Sequence, residues 1–291
     1  MAQIIANGII VGSVYALIAI GFSLIYSTVR FFHFAHGAVY TVSAYAGWAL
    51  HTYSGLPFFY CLLTGCGVGA LLGVGIQRAV YEPLARRRAP QLVFLLASFA
   101  VFIFLSGVLQ LAFGGDVQIY ADRVVRKGQL IFGAVITKHQ LMIIGTCILA
   151  SAVLYLWIAK SSLGKAIRAV ADDPIAASLM GINSKKVITI VFAVGSGLAG
   201  LAGVMIGVET NLNPSMGFDA ILKGIVAALI GGIGNIYGAI LGGFILGLAE
   251  NLGVMGISAG WKDTVAFLFL IIFLLLRPNG LIGTGLKQRR V

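Results

Sequence analysis

His33 and His36 stand three residues apart, the spacing at which two imidazoles on one helical turn could share a metal ion. No HExxH pattern and no third ligand nearby accompany them, so a hydrogen-bonded or packing role is the simpler reading and no metal site is expected. Cys61, Cys66 and Cys147 fit neither a zinc spacing nor a disulfide framework and read as small apolar residues. Gly164-Lys165 is followed by Ala166 and lacks the upstream glycine of a phosphate loop, so ATP binding in that manner is excluded. Of the carboxylates, Glu209 falls at the outer end of its helix, Glu250 at the end of the stretch 221–253 and Asp219 in an outer loop, none of them inside a long span. A proton-driven carrier usually needs an ionisable group at mid-membrane, which argues against that class. No catalytic residue is expected.

The loop over 160–186 is the most informative polar stretch. Ser161 or Ser162 can cap a helix running to about Arg168, with Leu163, Ile167 and Val170 on one face. Asp172-Asp173-Pro174 then restarts the helix, with Asp173 as N-cap and Pro174 at the first helical position, and Gly181 stops it. The product is a short helix with a sharp start and stop. It is apolar enough to need a partner, either lipid headgroups or a groove on a cytoplasmic protein.

Other polar residues lie within apolar runs. Asn7, Ser13, Tyr15, Ser43, Tyr45 and Ser196 are candidates for lining a solute path. Tyr81-Glu82-Pro83-Leu84 before Arg86-Arg87-Arg88 reads as a topology anchor or a second surface element. The segment 114–138, with Asp116, Asp122, Arg123, Arg126 and Lys127, reads as a solvated loop or a contact for a binding protein.

The elements that carry these residues belong in lipid. Of 291 residues, 59% are hydrophobic and 10% charged, against roughly 25% charged in soluble chains. Mean hydropathy is +1.01. The 39 glycines are about twice the usual ~7% share, as suits closely packed membrane helices. A cytosolic enzyme, a disordered tail and a disulfide scaffold are excluded. The net charge of +11 is scattered over short loops, so it reports membrane orientation and not a nucleic-acid partner.

Apolar runs near 4–27, 35–50, 56–76, 92–113, 139–159 and 187–208, with a shorter one near 263–276, are candidate spans. The first is expected to remain as a helix and not to be cleaved as a signal peptide. Fourteen of the 20 basic residues fall in one set of loops: Arg30, Arg78, Arg86–Arg88, Lys160, Lys165, Arg168, Lys185, Lys186, Arg277, Lys287, Arg289 and Arg290. The other set holds Arg123, Arg126, Lys127, Lys138, Lys223 and Lys262. The first set is assigned to the cytoplasm, with the N-terminus outside and the C-terminus inside. Parity then requires 221–253 to enter from outside and return, with a turn at Gly231-Gly232-Ile233-Gly234-Asn235. Such a broken helical pair lines a pathway or packs tightly through Gly234, Gly238 and Gly242. The expected fold is all-α, one polytopic membrane domain over 1–291 with about eight or nine segments.

Ala176-Ala177, three residues, then Gly181 resembles the core of the coupling loop of bacterial ABC importer permeases, with Ile175 where that loop has an acidic residue. Asn7-Gly8, Gly12-Ser13-Val14-Tyr15-Ala16-Leu17, Gly21-Phe22-Ser23-Leu24-Ile25-Tyr26 and Phe34-Ala35-His36-Gly37 resemble the opening of branched-chain amino acid permeases of the LivH type. So do Gly181-Ile182-Asn183, the run from Gly231 to Gly243, and Arg277-Pro278-Asn279-Gly280-Leu281. The resemblance implies an inner-membrane subunit of an ATP-driven, binding-protein-dependent importer for branched-chain or other neutral amino acids, working by alternating access. It implies a second homologous (LivM-like) permease, two cytoplasmic ATPase subunits that bind the ATP, a periplasmic solute-binding protein and surrounding lipid. Asp172, Asp173, Pro174, Ala176, Ala177 and Gly181 would form the ATPase-coupling loop. Asn7, Ser13, Tyr15, Gly231, Gly232, Gly234 and Asn235 are the candidates for the path. Rival readings are a related permease for urea, short amides or other amino acids, a self-sufficient channel or carrier, and an intramembrane metalloenzyme.

Overall fold

The computed structural model describes residues 1–120, 128–255 and 258–282. Asp122, Arg123, Arg126, Lys127, Lys287, Arg289 and Arg290 lie outside the described residues. The chain is almost wholly helical: α1 (Ala2–Val29), α2 (Ala35–Ser54), α3 (Phe58–Ile76), α4 (Glu82–Arg86), α5 (Gln91–Phe113), α6 (Lys138–Lys160), α7 (Ser162–Asp172), α8 (Pro174–Leu179), α9 (Ser184–Glu209), α10 (Met216–Gly231), α11 (Ile236–Gly253) and α12 (Lys262–Leu276). A π-helical turn, Gln77–Tyr81, joins α3 to α4 without a break. Part of the stretch read as a loop over 114–138 forms a β-hairpin, β1 (Gln129–Ile131) against β2 (Ala134–Ile136), with Gln129 opposite Ile136.

Among the described residues six helices are long and apolar enough to cross a bilayer: α1, the continuous rod Phe58–Arg86, α5, α6, α9 and α11. Helices α2, α10 and α12 have 20, 16 and 15 residues and do not meet both conditions. Burial separates centre from rim. The most apolar stretch of α1 is 83% buried and that of α9 67%, whereas α5 keeps only 17% covered. Helix α1 is therefore the central post, which accounts for its being apolar on every side. The rod Phe58–Arg86, α5 and α6 turn most of their surface outward, as lipid-facing helices do.

Missing side chains let the inner helices meet backbone to backbone. A Cβ on Gly247 of α11 would sit 2.5 Å from Gly12 Cα, and one on Gly12 would sit 2.9 Å from Phe244 Cα. Gly243 likewise abuts Ala16, so α1 and α11 touch along a row of small residues. A second row on α11, Gly238 and Gly242, faces Gly231 and Ala227 of α10. Gly234, expected in that row, lies instead in the turn before α11, with φ +82°.

Candidate functional site

The coupling segment is built from caps. Ser161 Oγ accepts from Gly164 N at 2.9 Å and starts α7, which buries Ile167 and Val170. Leu163, expected on that face, points outward, because Gly164 is the residue lodged against the Ile158 backbone. Asp173 Oδ1 accepts from Ile175 N at 2.9 Å and from Ala176 N at 3.1 Å, with Pro174 in the first turn of α8. Gly181 leaves the helix at φ +82°, a conformation open to glycine. Ser184 Oγ then donates to Pro174 O at 3.1 Å and lies 3.0 Å from Ser178 Oγ, tying α8 to the first turn of α9. Within α8, Ala177 is only 4% exposed and packs inward. Ile175, Leu179 (84% exposed) and Met180 project away from the protein. An apolar face on a firmly capped helix is suited to docking and not to chemistry.

Around this segment lie the basic residues assigned to one set of loops. Arg30 donates to Ala171 O at 2.7 Å and Gln91 Nε2 to Arg30 O at 3.2 Å. Glu82 pairs with Arg86 at 2.8 Å and with Lys185 at 3.5 Å. The turn between α10 and α11 belongs to the same end. With Arg30, Arg168 and Asp172, its residues Gly234 and Asn235 border a cavity of about 350 Å³. Asn235 caps α11 by accepting from Tyr237 N and Gly238 N, and its Nδ2 donates to Ile282 O at 2.9 Å. The last four carbonyls of α10 all have partners. Gly232 N is shared by Ala228 O and Leu229 O, Leu281 N reaches Ile230 O at 2.9 Å, and Ile282 N reaches Gly231 O at 3.0 Å. The turn's backbone is thus satisfied by protein, largely by the strand of chain after α12.

The other path candidates are not gathered in one place. Gln3 Nε2 donates to Asn7 Oδ1 near the start of α1, where Gln3 also binds Val135 of β2. Ser13 is fully buried and its hydroxyl donates to Ile9 O at 2.8 Å. Tyr15, two residues on, points to the opposite side of the helix. Its hydroxyl donates to Glu250 Oε2 at 2.8 Å.

That contact exposes a cluster that reading the sequence missed. Glu250 is 1% exposed, and its Oε1 lies 3.2 Å from Lys223 Nζ. Lys223 Nζ also lies 2.8 Å from Asp263 Oδ1 and 5.4 Å above the Tyr15 ring. Three expectations are corrected here. Lys223 belongs to the middle of α10 and not to an outer loop, and Glu250 is a buried carboxylate within a candidate span. Asp219 likewise sits in the first turn of α10. A charge as deeply buried as that of Glu250 is expensive and is held in a pair, as this one is. The pairing joins residues 27 and 235 positions apart, with only a lone lysine amid apolar residues as a sequence signal.

His33 and His36 are fully buried, with His33 Nδ1 2.8 Å from the Tyr81 hydroxyl. Among the described residues no three His, Cys, Asp or Glu side chains form a group that could hold a metal.

Comparison with known proteins fits this architecture. A family described as the permease component of branched-chain amino acid transport systems matches residues 4–274. The chain is 36% identical to the high-affinity branched-chain amino acid transport permease BraD of Pseudomonas aeruginosa, covering 97% of this chain and 95% of that one. It is 37% identical to LivH of Escherichia coli, over 95% and 94% of the two chains. In overall shape it resembles a chain of PsaBC from Streptococcus pneumoniae, with a TM-score of 0.52 and 16% identity over 94% and 91% of the two, a likeness of fold alone. With relatives at this identity along nearly its full length, and with helices built to lie in a bilayer, the chain belongs to the branched-chain amino acid permease family of ABC transport systems.

Proposed function

We propose that the chain carries branched-chain or other neutral amino acids inward across a bacterial inner membrane, as one of two homologous permeases, the other LivM-like. In this reading two cytoplasmic ATPase subunits bind the ATP and a periplasmic protein delivers the solute. The supporting observation is the outward apolar face of α8, Ile175, Leu179 and Met180, on a helix capped at both ends. Asp172, Asp173, Pro174, Ala176, Ala177 and Gly181 shape that helix, and its exposed residues enter a groove on the ATPase.

The gathering of Arg30, Arg86, Arg168 and Lys185 around α8 supports a cytoplasmic position for this end, with the N-terminus periplasmic and the C-terminus cytoplasmic. Helices α2, α10 and α12 cross along with the six longer spans, giving nine segments in a single domain. The Gly-broken pair α10–α11 enters from outside and returns. Tyr15 and its ion cluster supply the polar element on the outer side of the solute path, with Asn7 two turns before it on α1 and Ser13 packed on the opposite side of that helix. Gly231, Gly232, Gly234 and Asn235 shape its inner end beside the cavity of about 350 Å³.

Reconstitution tests the reading. The chain with its second permease, ATPases and binding protein should accumulate leucine in liposomes only when ATP is present. The chain alone should neither hydrolyse ATP nor pass leucine. Flux through the chain alone would make it a channel or carrier and overturn the proposal.

A further inference from the structure

The rod Phe58–Arg86 changes its winding at the π turn Gln77–Tyr81, a feature often found where a helix serves a site. The turn sends Tyr81 inward to His33, and Gln77 Oε1 accepts from Thr189 Oγ1 at 3.2 Å. Between this turn, the end of α1, the start of α5 and the start of α9 lies a cavity of about 400 Å³. Phe31, Phe94, Ile188 and Phe192 give it apolar walls, while Glu82, Arg86 and Lys185 stand at its rim. Both signs of charge are present there. Arg86 Nη2 lies 2.8 Å and Lys185 Nζ 3.5 Å from Glu82 Oε1, and both cations are largely solvent-exposed.

An apolar chamber of this size, with a few polar groups at its mouth, is the usual form of a small-molecule site. A fatty acid would use only the cations, and a hydrocarbon would use neither. A free amino acid with an aliphatic side chain uses everything: its ammonium meets Glu82, its carboxylate meets Arg86 or Lys185, and its side chain enters among the aromatic rings. Two cations beside one carboxylate leave a cation for the solute when Glu82 takes the ammonium. The rim is also coupled to α8. Lys185 follows Ser184, whose hydroxyl holds Pro174 O, and Asn183 Oδ1 caps the same turn through Lys186 N at 3.1 Å.

We infer that this cavity is a second solute site, on the cytoplasmic face, taking a zwitterion with an apolar side chain, and that its occupancy restrains α8 and slows the ATPases. The inference rests on the importer reading above and adds a product-side control to it.

The test uses the assembled importer in nanodiscs without binding protein, probed with radiolabelled L-leucine. Saturable binding is expected, and Glu82→Gln should weaken it at least ten-fold at equal assembly. L-leucinamide, which lacks the carboxylate, and 4-methylpentanoate, which lacks the ammonium, should each compete at least ten-fold more weakly than leucine. Leucine should lower the ATPase rate of the wild type and not that of Lys185→Gln. Absence of saturable binding in the millimolar range, binding untouched by Glu82→Gln, or competition by 4-methylpentanoate equal to that of leucine would each overturn the inference, the last by making this an acyl-chain site. ATP-driven leucine uptake in the same preparation, with binding protein added, separates the two claims. Uptake without cytoplasmic binding removes only this site, whereas no uptake of any amino acid removes the importer reading.

Discussion

Lys223→Met leaves Glu250 buried without its cation. Glu250 keeps the Tyr15 hydroxyl at 2.8 Å, but its Oε1 loses the ammonium at 3.2 Å. Asp263 is 66% exposed, so water replaces the lysine there and that contact contributes little. Removing one member of a buried pair costs about 3–5 kcal/mol. Because Lys223 is itself 16% exposed and some water reaches it, the lower figure of about 3 kcal/mol applies. At about 2–4 °C per kcal/mol for a chain of this size, the midpoint of thermal unfolding should fall by roughly 6–12 °C. Cys61 and Cys147 are buried and Cys66 is partly exposed, so in a Cys66→Ser background a thiol-reactive dye in nanodiscs reports unfolding. The double variant Lys223→Met with Glu250→Gln removes both charges while keeping an acceptor for Tyr15, and should recover most of the loss. A single variant within 2 °C of wild type (roughly 1 kcal/mol), or a double variant no more stable than the single, would refute the idea that the pair is electrostatically buried.

Leu179→Arg places a charge on the exposed face of α8 and should abolish co-purification with the ATPases and ATP-driven uptake, while leaving the unfolding midpoint unchanged. Ala177→Arg, at an internal position, should instead lower the midpoint, and the opposite pattern would mean that α8 presents its other face. Gly247→Val forces side-chain atoms against Gly12 and should destabilise by about 1–3 kcal/mol, read by the same dye. Asn235→Ala removes the α11 cap and the bond to Ile282 O and should cost about 1 kcal/mol, with faster proteolysis after residue 276; an unchanged cleavage rate would show that the backbone bonds of Leu281 and Ile282 suffice.

What was legible in the sequence was what hydropathy and local capping determine. The run read near 92–113 is α5 (Gln91–Phe113) and that near 139–159 is α6 (Lys138–Lys160), because lipid-facing helices must be apolar along their whole length. Asp173 and Gly181 were found because caps are written within four residues of where they act. Which side of α8 faces out was not legible, since a six-residue helix is too short for periodicity to separate Ala177 from Ile175 and Leu179. Nor was the Tyr15–Glu250–Lys223 cluster, which exists only after α1, α10 and α11 are packed. The hairpin at Gln129–Ile136 escaped because each strand has only three residues.

The partners of Ile230 O and Gly231 O lie about 50 residues further along the chain, at Leu281 and Ile282. During synthesis at roughly 5–20 residues per second, α10 therefore waits some 3–10 s before its final carbonyls are satisfied by protein. Bilayer hydrocarbon offers them nothing in the interval, so the emerging end of α10 must stay at the wet boundary or be shielded by another protein. Only when the segment after α12 has been made can the α10–α11 turn close. The segment at Leu281 and Ile282, made after α12, is thus the clasp for an element made before it, and a ribosome stalled before residue 281 would hold a bundle still open at the α10–α11 turn.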